Sequence, residues 1–184
     1  AMSYILAVHV PIAGMALLPV LLGWPALLFP MHIALLELII DPACSIVLEA
    51  QRAEQNVMQR PPRHPANPLF SRALASWSIL QGTLALLIIT AVYLFATRKG
   101  LPQEDVRSVA FVALVGMNLA LVFVNRTFRA SLRETLGEPN APLWWGLALV
   151  VGILTVLLAW PAARTFLGLG ALEFEGLALG LAAA

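Results

Sequence analysis

Charge is what this sequence has least of. Only 11% of its 184 residues are charged and 60% are hydrophobic, with a mean hydropathy of +0.87, where a soluble domain carries about a quarter charged residues. That composition excludes a soluble globular domain and makes the chain an integral membrane protein or a piece of one. Basic surplus is missing too: 11 Lys+Arg stand against 10 Asp+Glu, a net charge of +1, so no basic face is broad enough to hold a nucleic-acid backbone. Nucleic acid is excluded as a partner. Cysteine is reduced to Cys44, which has no second cysteine to pair with and no Cys or His companions at metal-finger spacing. The first 51 residues hold no Lys or Arg, so the opening apolar stretch lacks the basic start of a signal peptide and reads as a span. There is no phosphate-cradling Gly-x-x-x-x-Gly-Lys-Ser/Thr loop, no Gly-x-Gly-x-x-Gly, no Ser/His/Asp set and no polar segment large enough to fold around a nucleotide. ATP hydrolysis by this chain alone is therefore not expected, and neither is a cofactor within it.

What is present is hydrophobic length. A hydrocarbon core of ~30 Å needs about 20 helical residues, and six stretches approach it: Ser3 to Leu22, Ala26 to Leu48, Ala73 to Ala96, Val106 to Val124, Pro142 to Trp160, and Phe166 to Ala184, the last interrupted by Glu173 and Glu175. The fold expected is an all-α polytopic membrane bundle of about six transmembrane helices, with the lipid bilayer as a partner. It divides into a hairpin at 1–48, a proline- and arginine-bearing loop at 49–72, and a supporting bundle of four spans at 73–184. Gly23, Trp24 and Pro25 read as a tight turn closing the hairpin. Arg52, Arg60, Arg63, Arg72, Arg126, Arg129 and Arg133 fall on one side of the spans; Arg98, Lys99, Arg107 and Arg164 fall on the other. By the positive-inside rule the first set, and both termini, are cytoplasmic, in what is expected to be the inner, plasma membrane of a bacterium. Trp24, Trp77, Trp144, Trp145 and Trp160 lie near span ends, as interfacial anchors do. The Asn125-Arg126-Thr127 sequon falls on the cytoplasmic side and carries no weight.

An uncompensated charge in mid-bilayer costs at least ~2.5 to 3.5 kcal/mol on insertion scales, so ionisable residues inside spans point to function. The second span has two. In His32-Ile-Ala-Leu-Leu-Glu-Leu-Ile-Ile-Asp-Pro42, Glu37 and Asp41 are four apart and share a helix face. Pro42 has no N–H and its ring crowds the carbonyl one turn back, so the helix should kink or unwind near Leu38. Carbonyls freed beside two carboxylates are suitable oxygen ligands for a hard cation. His9 in the first span and Asn118 in the fourth are further candidate ligands, while Asn125, on the face of Asn118, and Gln81, Thr83 and Thr90 read as helix contacts. His32 reads as a packing residue, and Glu173 and Glu175 as solvated acids near the interface.

The runs Tyr4-Ile-Leu-Ala-Val-His-Val-Pro-Ile12 and Pro30-Met-His-Ile-Ala-Leu-Leu-Glu-Leu-Ile-Ile-Asp-Pro-Ala-Cys-Ser-Ile-Val47, with Met58-Gln-Arg-Pro-Pro-Arg63, Asn67-Pro68-Leu69 and Asn125-Arg126-Thr127-Phe128, resemble the membrane C-terminal half of cation-transporting P-type ATPases of the calcium-pump type. The resemblance covers essentially the whole chain. It implies that these are the last six spans of a ten-span pump and that the chain is a fragment, its partners being the transported cation and the missing N-terminal spans and cytoplasmic domains, where ATP and Mg would bind. It also implies that Asp41 matches the acidic ligand of the family's sixth span, that Glu37 and His9 fall where calcium pumps have ligand amides, and that Ile12 falls where they have a ligand glutamate. Losing that carboxylate should reduce the number of ions or their charge and leaves the ion's identity open. The functional expectation is a cation-translocation module supplying Asp41, Glu37, His9 and Asn118 to an ATP-driven pathway. The alternative is a stand-alone structural or regulatory membrane module; a secondary carrier would show inverted repeats, which the sequence lacks.

Overall fold

The computed structural model describes residues 2–49, 71–126 and 141–171, together with 176, 178 and 180, and every regular element among them is helical. Five stretches are long and apolar enough to cross a membrane: Met2–Leu22, Pro30–Glu49, Arg72–Arg98, Gln103–Asn125 and Ala141–Ala159. The architecture is an all-α polytopic bundle, integral to a bilayer. The Met58-to-Arg63 motif, Arg129, Arg133, Glu173 and Glu175 lie outside the described residues.

Helix α1, Met2–Leu22, runs through Pro11 and Pro19; a proline inside a helix is tolerated where neighbouring spans cover the carbonyl it cannot satisfy, and both prolines are buried. The turn expected at Gly23 to Pro25 is longer than that: the chain stays non-helical until Phe29 and the second span starts at Pro30, not Ala26. The reason is the second proline. Its ring excludes the helical region for the residue before it, Phe29 accordingly adopts φ −87, ψ 159, and Pro30 takes the first helical position, where a missing N–H costs nothing. Trp24 in this connection stacks on Tyr93 with ring centroids 5.3 Å apart.

The second span is α2, Pro30–Leu35, then a π-helical turn, Leu36–Ile40, then α3, Asp41–Glu49. The break expected near Leu38 is thus a widening of the helix, not an unwinding: the Asp41 N–H reaches Leu36 O, five residues back. A π turn moves the carbonyls away from the Pro42 ring while keeping the backbone paired, and such turns concentrate at functional sites.

Helix α4, Arg72–Arg98, starts under a Ser71 cap whose Oγ accepts the Leu74 N–H at 3.0 Å. Helix α5, Gln103–Arg126, follows a short turn and carries Glu104 and Asp105 in its first turn, where negative charge suits the helix dipole. Helix α6, Ala141–Ala159, and the short α7, Pro161–Leu167, complete the described helices. Gly168, at φ 62, ends α7 in a left-handed cap that a side chain would strain. Phe166 and Leu167, expected to open the sixth span, therefore close a separate short helix; beyond them residues 176, 178 and 180 are helical.

The centre of the bundle is α5, 72% buried over its apolar window against 11% for α6. It packs on α1, α3 and α4, while α1 lies along α4 and α6 along α3. With no water-driven force between spans in lipid, close approach and polar cross-links hold such helices together. Gly82 of α4 provides the approach: a Cβ there would lie 2.5 Å from Ala7 O and 2.7 Å from Val10 Cβ of α1. The cross-links are Ser3 Oγ to Ser78 Oγ at 2.7 Å, joining α1 to α4, and Asn125 Nδ2 donating to Gln81 Oε1 at 3.1 Å, joining α5 to α4. Thr90 lies beside Met15 of α1, whereas Thr83 is exposed. Trp77, Trp144, Trp145 and Trp160 are all exposed on the bundle's outside.

Candidate functional site

The site is built where α1, the π turn of the second span and α5 meet. Asp41 follows the last residue of the π turn, directly before Pro42, and is only 8% exposed. Asn118, wholly buried on α5, donates its Nδ2 proton to Asp41 Oδ1 at 3.2 Å. The second carboxylate oxygen, Asp41 Oδ2, and the amide oxygen, Asn118 Oδ1, are buried without a hydrogen-bond partner. Tyr4 of α1 completes this pocket: its side chain is fully buried, its hydroxyl sits beside the Cys44 thiol and within electrostatic reach of Asp41, and it makes no well-aligned hydrogen bond. Buried polar atoms left unpaired cost about 1–3 kcal/mol each, and three here are all able to offer an oxygen lone pair. A cation bound among them would satisfy all three.

Glu37 and His9 form a second, outer pair. Glu37 Oε2 lies 3.4 Å from His9 Nε2, with 35% and 51% of the two side chains exposed. His9 is held by its other ring nitrogen, Nδ1, 2.7 Å from Ile5 O one turn back; a carbonyl only accepts, so Nδ1 carries the proton and Nε2 is turned to the carboxylate. Both groups are near enough to Asp41 to act on it electrostatically.

The structure thus distributes the four expected ligands as two neighbouring pairs, Asp41 with Asn118 in the buried interior and Glu37 with His9 at its more open edge. Among the described residues no group of three or more His, Cys, Asp or Glu side chains is arranged to hold a metal. The expected face-sharing of Glu37 and Asp41 corresponds to proximity but not to a shared partner, because the widened turn aims one at α1 and the other at α5. Asn125, seven residues after Asn118, goes to Gln81 and to Leu121 O. Tyr4 was not singled out by its sequence context: an aromatic residue at the start of an apolar run reads as packing, and only its burial next to two acidic or acceptor groups marks it. Cys44, one turn after Asp41, is buried on the same side.

Comparison with protein families gives one result. The family described as "Cation transporting ATPase, C-terminus" matches residues 25–184, which takes in Glu37, Asp41 and Asn118 and leaves Tyr4 and His9 before the matched region. No curated protein matches the chain.

Proposed function

This chain belongs to the cation-transporting ATPase family, as its C-terminal membrane region, and on that premise we propose that it supplies part of the ion-binding site of an ATP-driven cation pump, with Asp41 and Asn118 as the buried ligands and Glu37 and His9 at the entrance to them. The observation that supports this most is the Asp41–Asn118 pair: a carboxylate and a carboxamide joined at 3.2 Å in the bundle interior, with the second carboxylate oxygen and the single amide oxygen both unpaired. Residues placed only for packing do not leave several acceptor oxygens together in a buried interior, since each would be cheaper as a hydrocarbon.

The π turn gives the site its means of movement. Pro42 withholds a donor from the carbonyl one turn back, so the backbone around Glu37 to Asp41 has two ways of being paired, α and π, that differ by a small rotation of the following helix. In the intact pump, phosphorylation in the cytoplasmic domains would bias these arrangements, turning Asp41 toward one side of the membrane and then the other. ATP and Mg belong to those domains and not to this region. The orientation we propose puts residues 50–70 in the cytoplasm, following the distribution of arginines.

The test is ATPase activity of the full-length pump against a panel of mono- and divalent cations. One cation should stimulate the wild type, and the stimulation should be lost in Asp41→Asn and reduced in Asn118→Leu. Equal stimulation of Asp41→Asn would remove Asp41 from the ion pathway.

A further inference from the structure

The end of the bundle where the second span begins holds a second polar cluster, separate from the candidate ion site. His32 is fully buried. Its ring is stacked on Phe29, with centroids 5.6 Å apart and 14° between planes, and tilted against Phe111 of α5 at 5.4 Å. Its Nδ1 accepts the Phe29 N–H at 2.9 Å, capping the second span. Arg107 of α5 lies 4.2 Å over the same Phe29 ring, donating through Nη1 to Gly168 O and through Nη2 to Ala26 O at 3.4 Å. The segment after α7 is tied down beside it: the Gly170 N–H donates to Glu104 O at 3.0 Å, and Ser108 Oγ donates to Gly170 O at 3.2 Å. The outer ends of the second span, of α5 and of the chain beyond α7 are therefore joined through one Arg107–Phe29–His32 stack.

We infer that this cluster is a proton-sensitive latch, closed when the His32 ring is neutral and opened when acid reaches that end of the bundle. The geometry dictates the sign. Nδ1 accepts a proton from a backbone N–H, which a neutral ring with its hydrogen on Nε2 does and an imidazolium, bearing hydrogen on both nitrogens, cannot. Protonation sets two N–H groups against each other at the cap and adds a cation to a cluster that already contains Arg107. The charged groups around His32 do not offset this. Arg107 repels it from α5; Glu104 lies within electrostatic reach of Arg107; Asp105 packs against Gly170; and α7, which brings Leu167 against the ring, carries the part-exposed Arg164. Latch stability is present at neutral pH and is lost as pH falls.

The experiment is residue-resolved hydrogen exchange at the Phe29 amide, by NMR on the full chain in detergent micelles, between about pH 8 and 5, where imidazoles titrate. Corrected for the intrinsic rate, the opening constant of this amide should rise about tenfold per pH unit once the open state takes up one proton more than the closed one. In His32→Gln it should stay flat, because a glutamine at this helical position still offers an oxygen to the Phe29 N–H and does not titrate. A flat wild-type profile, or an equal rise in His32→Gln, overturns the inference. If His32→Gln fails to fold, the nitrogen shifts of the wild-type ring decide: protonation of His32 in the same pH range as opening of the Phe29 amide is the expected result, and protonation without opening overturns the latch.

Discussion

Replacing Asp41 by asparagine separates a functional carboxylate from a structural one, because the two roles predict opposite changes in stability. In the wild type, Asp41 Oδ2 and Asn118 Oδ1 are both acceptors, both buried and both unpaired. Asparagine has the same shape, keeps an oxygen for Asn118 Nδ2, and puts an NH₂ donor where Oδ2 stood. A donor replaces one orphan acceptor next to a residue whose own acceptor is unpaired, and an ionisable group is taken out of the interior. At about 1–3 kcal/mol for an unpaired buried polar group, and roughly 2–4 °C per kcal/mol for a chain of this size, Asp41→Asn should unfold several degrees above the wild type in cation-free detergent solution. The chain contains its own probe: Cys44 is the single cysteine and is 2% exposed, so a thiol-reactive fluorogenic dye reports its exposure on heating. Adding the transported cation should raise the midpoint of the wild type but not of Asp41→Asn. A variant that unfolds below the wild type by the same several degrees would show that Asp41 holds the bundle together, and the reasoning from its unpaired oxygen would be wrong.

Three further outcomes follow from particular contacts. Gly82→Val places methyl groups against the Ala7 carbonyl, where even a Cβ comes to 2.5 Å; overpacking of this kind costs about 1–3 kcal/mol, and the same dye assay should show a lower midpoint with no change in the cation that stimulates the pump. Asn125→Leu removes the link to Gln81 at 3.1 Å; interhelical hydrogen bonds between spans average about 0.6 kcal/mol, so stability should fall slightly while cation affinity, measured by ATPase titration, stays within about twofold. Pro42→Ala restores an N–H to the second span and favours an unbroken α-helix, which would rotate Asp41 relative to α5; the half-saturating cation concentration should rise at least tenfold, and an unchanged value would show that the π turn has no part in presenting the site.

The all-α class and the first five of the six expected spans were legible because lipid imposes them: where every backbone group must be paired internally, long apolar stretches have one solution. Boundaries were less legible where two local signals competed. Ala26 to Phe29 is apolar enough to extend the second span, but Pro30 forces Phe29 out of the helical region and moves the start by four residues. Phe166 and Leu167 have the apolar character of a span, but Gly168 stops their helix. At the candidate site, Pro42 marked the place where the structure has an irregular turn, and the spacing of Glu37 and Asp41 matched their closeness in the fold. Which partner each acid has was not legible, because it depends on how α1 and α5 approach the second span, and a single sequence carries no record of contacts between residues 77 positions apart such as Asp41 and Asn118. Tyr4 was missed for the same reason.

On the proposed function, Asp41 lies in the path of a cation moved by the intact pump. Its most direct test is ATP-driven cation uptake into proteoliposomes by the full-length protein, compared between wild type and Asp41→Asn, with thermal unfolding of the same preparations as a check on folding. The expected result is uptake by the wild type and none by a variant at least as stable as the wild type. Uptake at the wild-type rate by folded Asp41→Asn would contradict it.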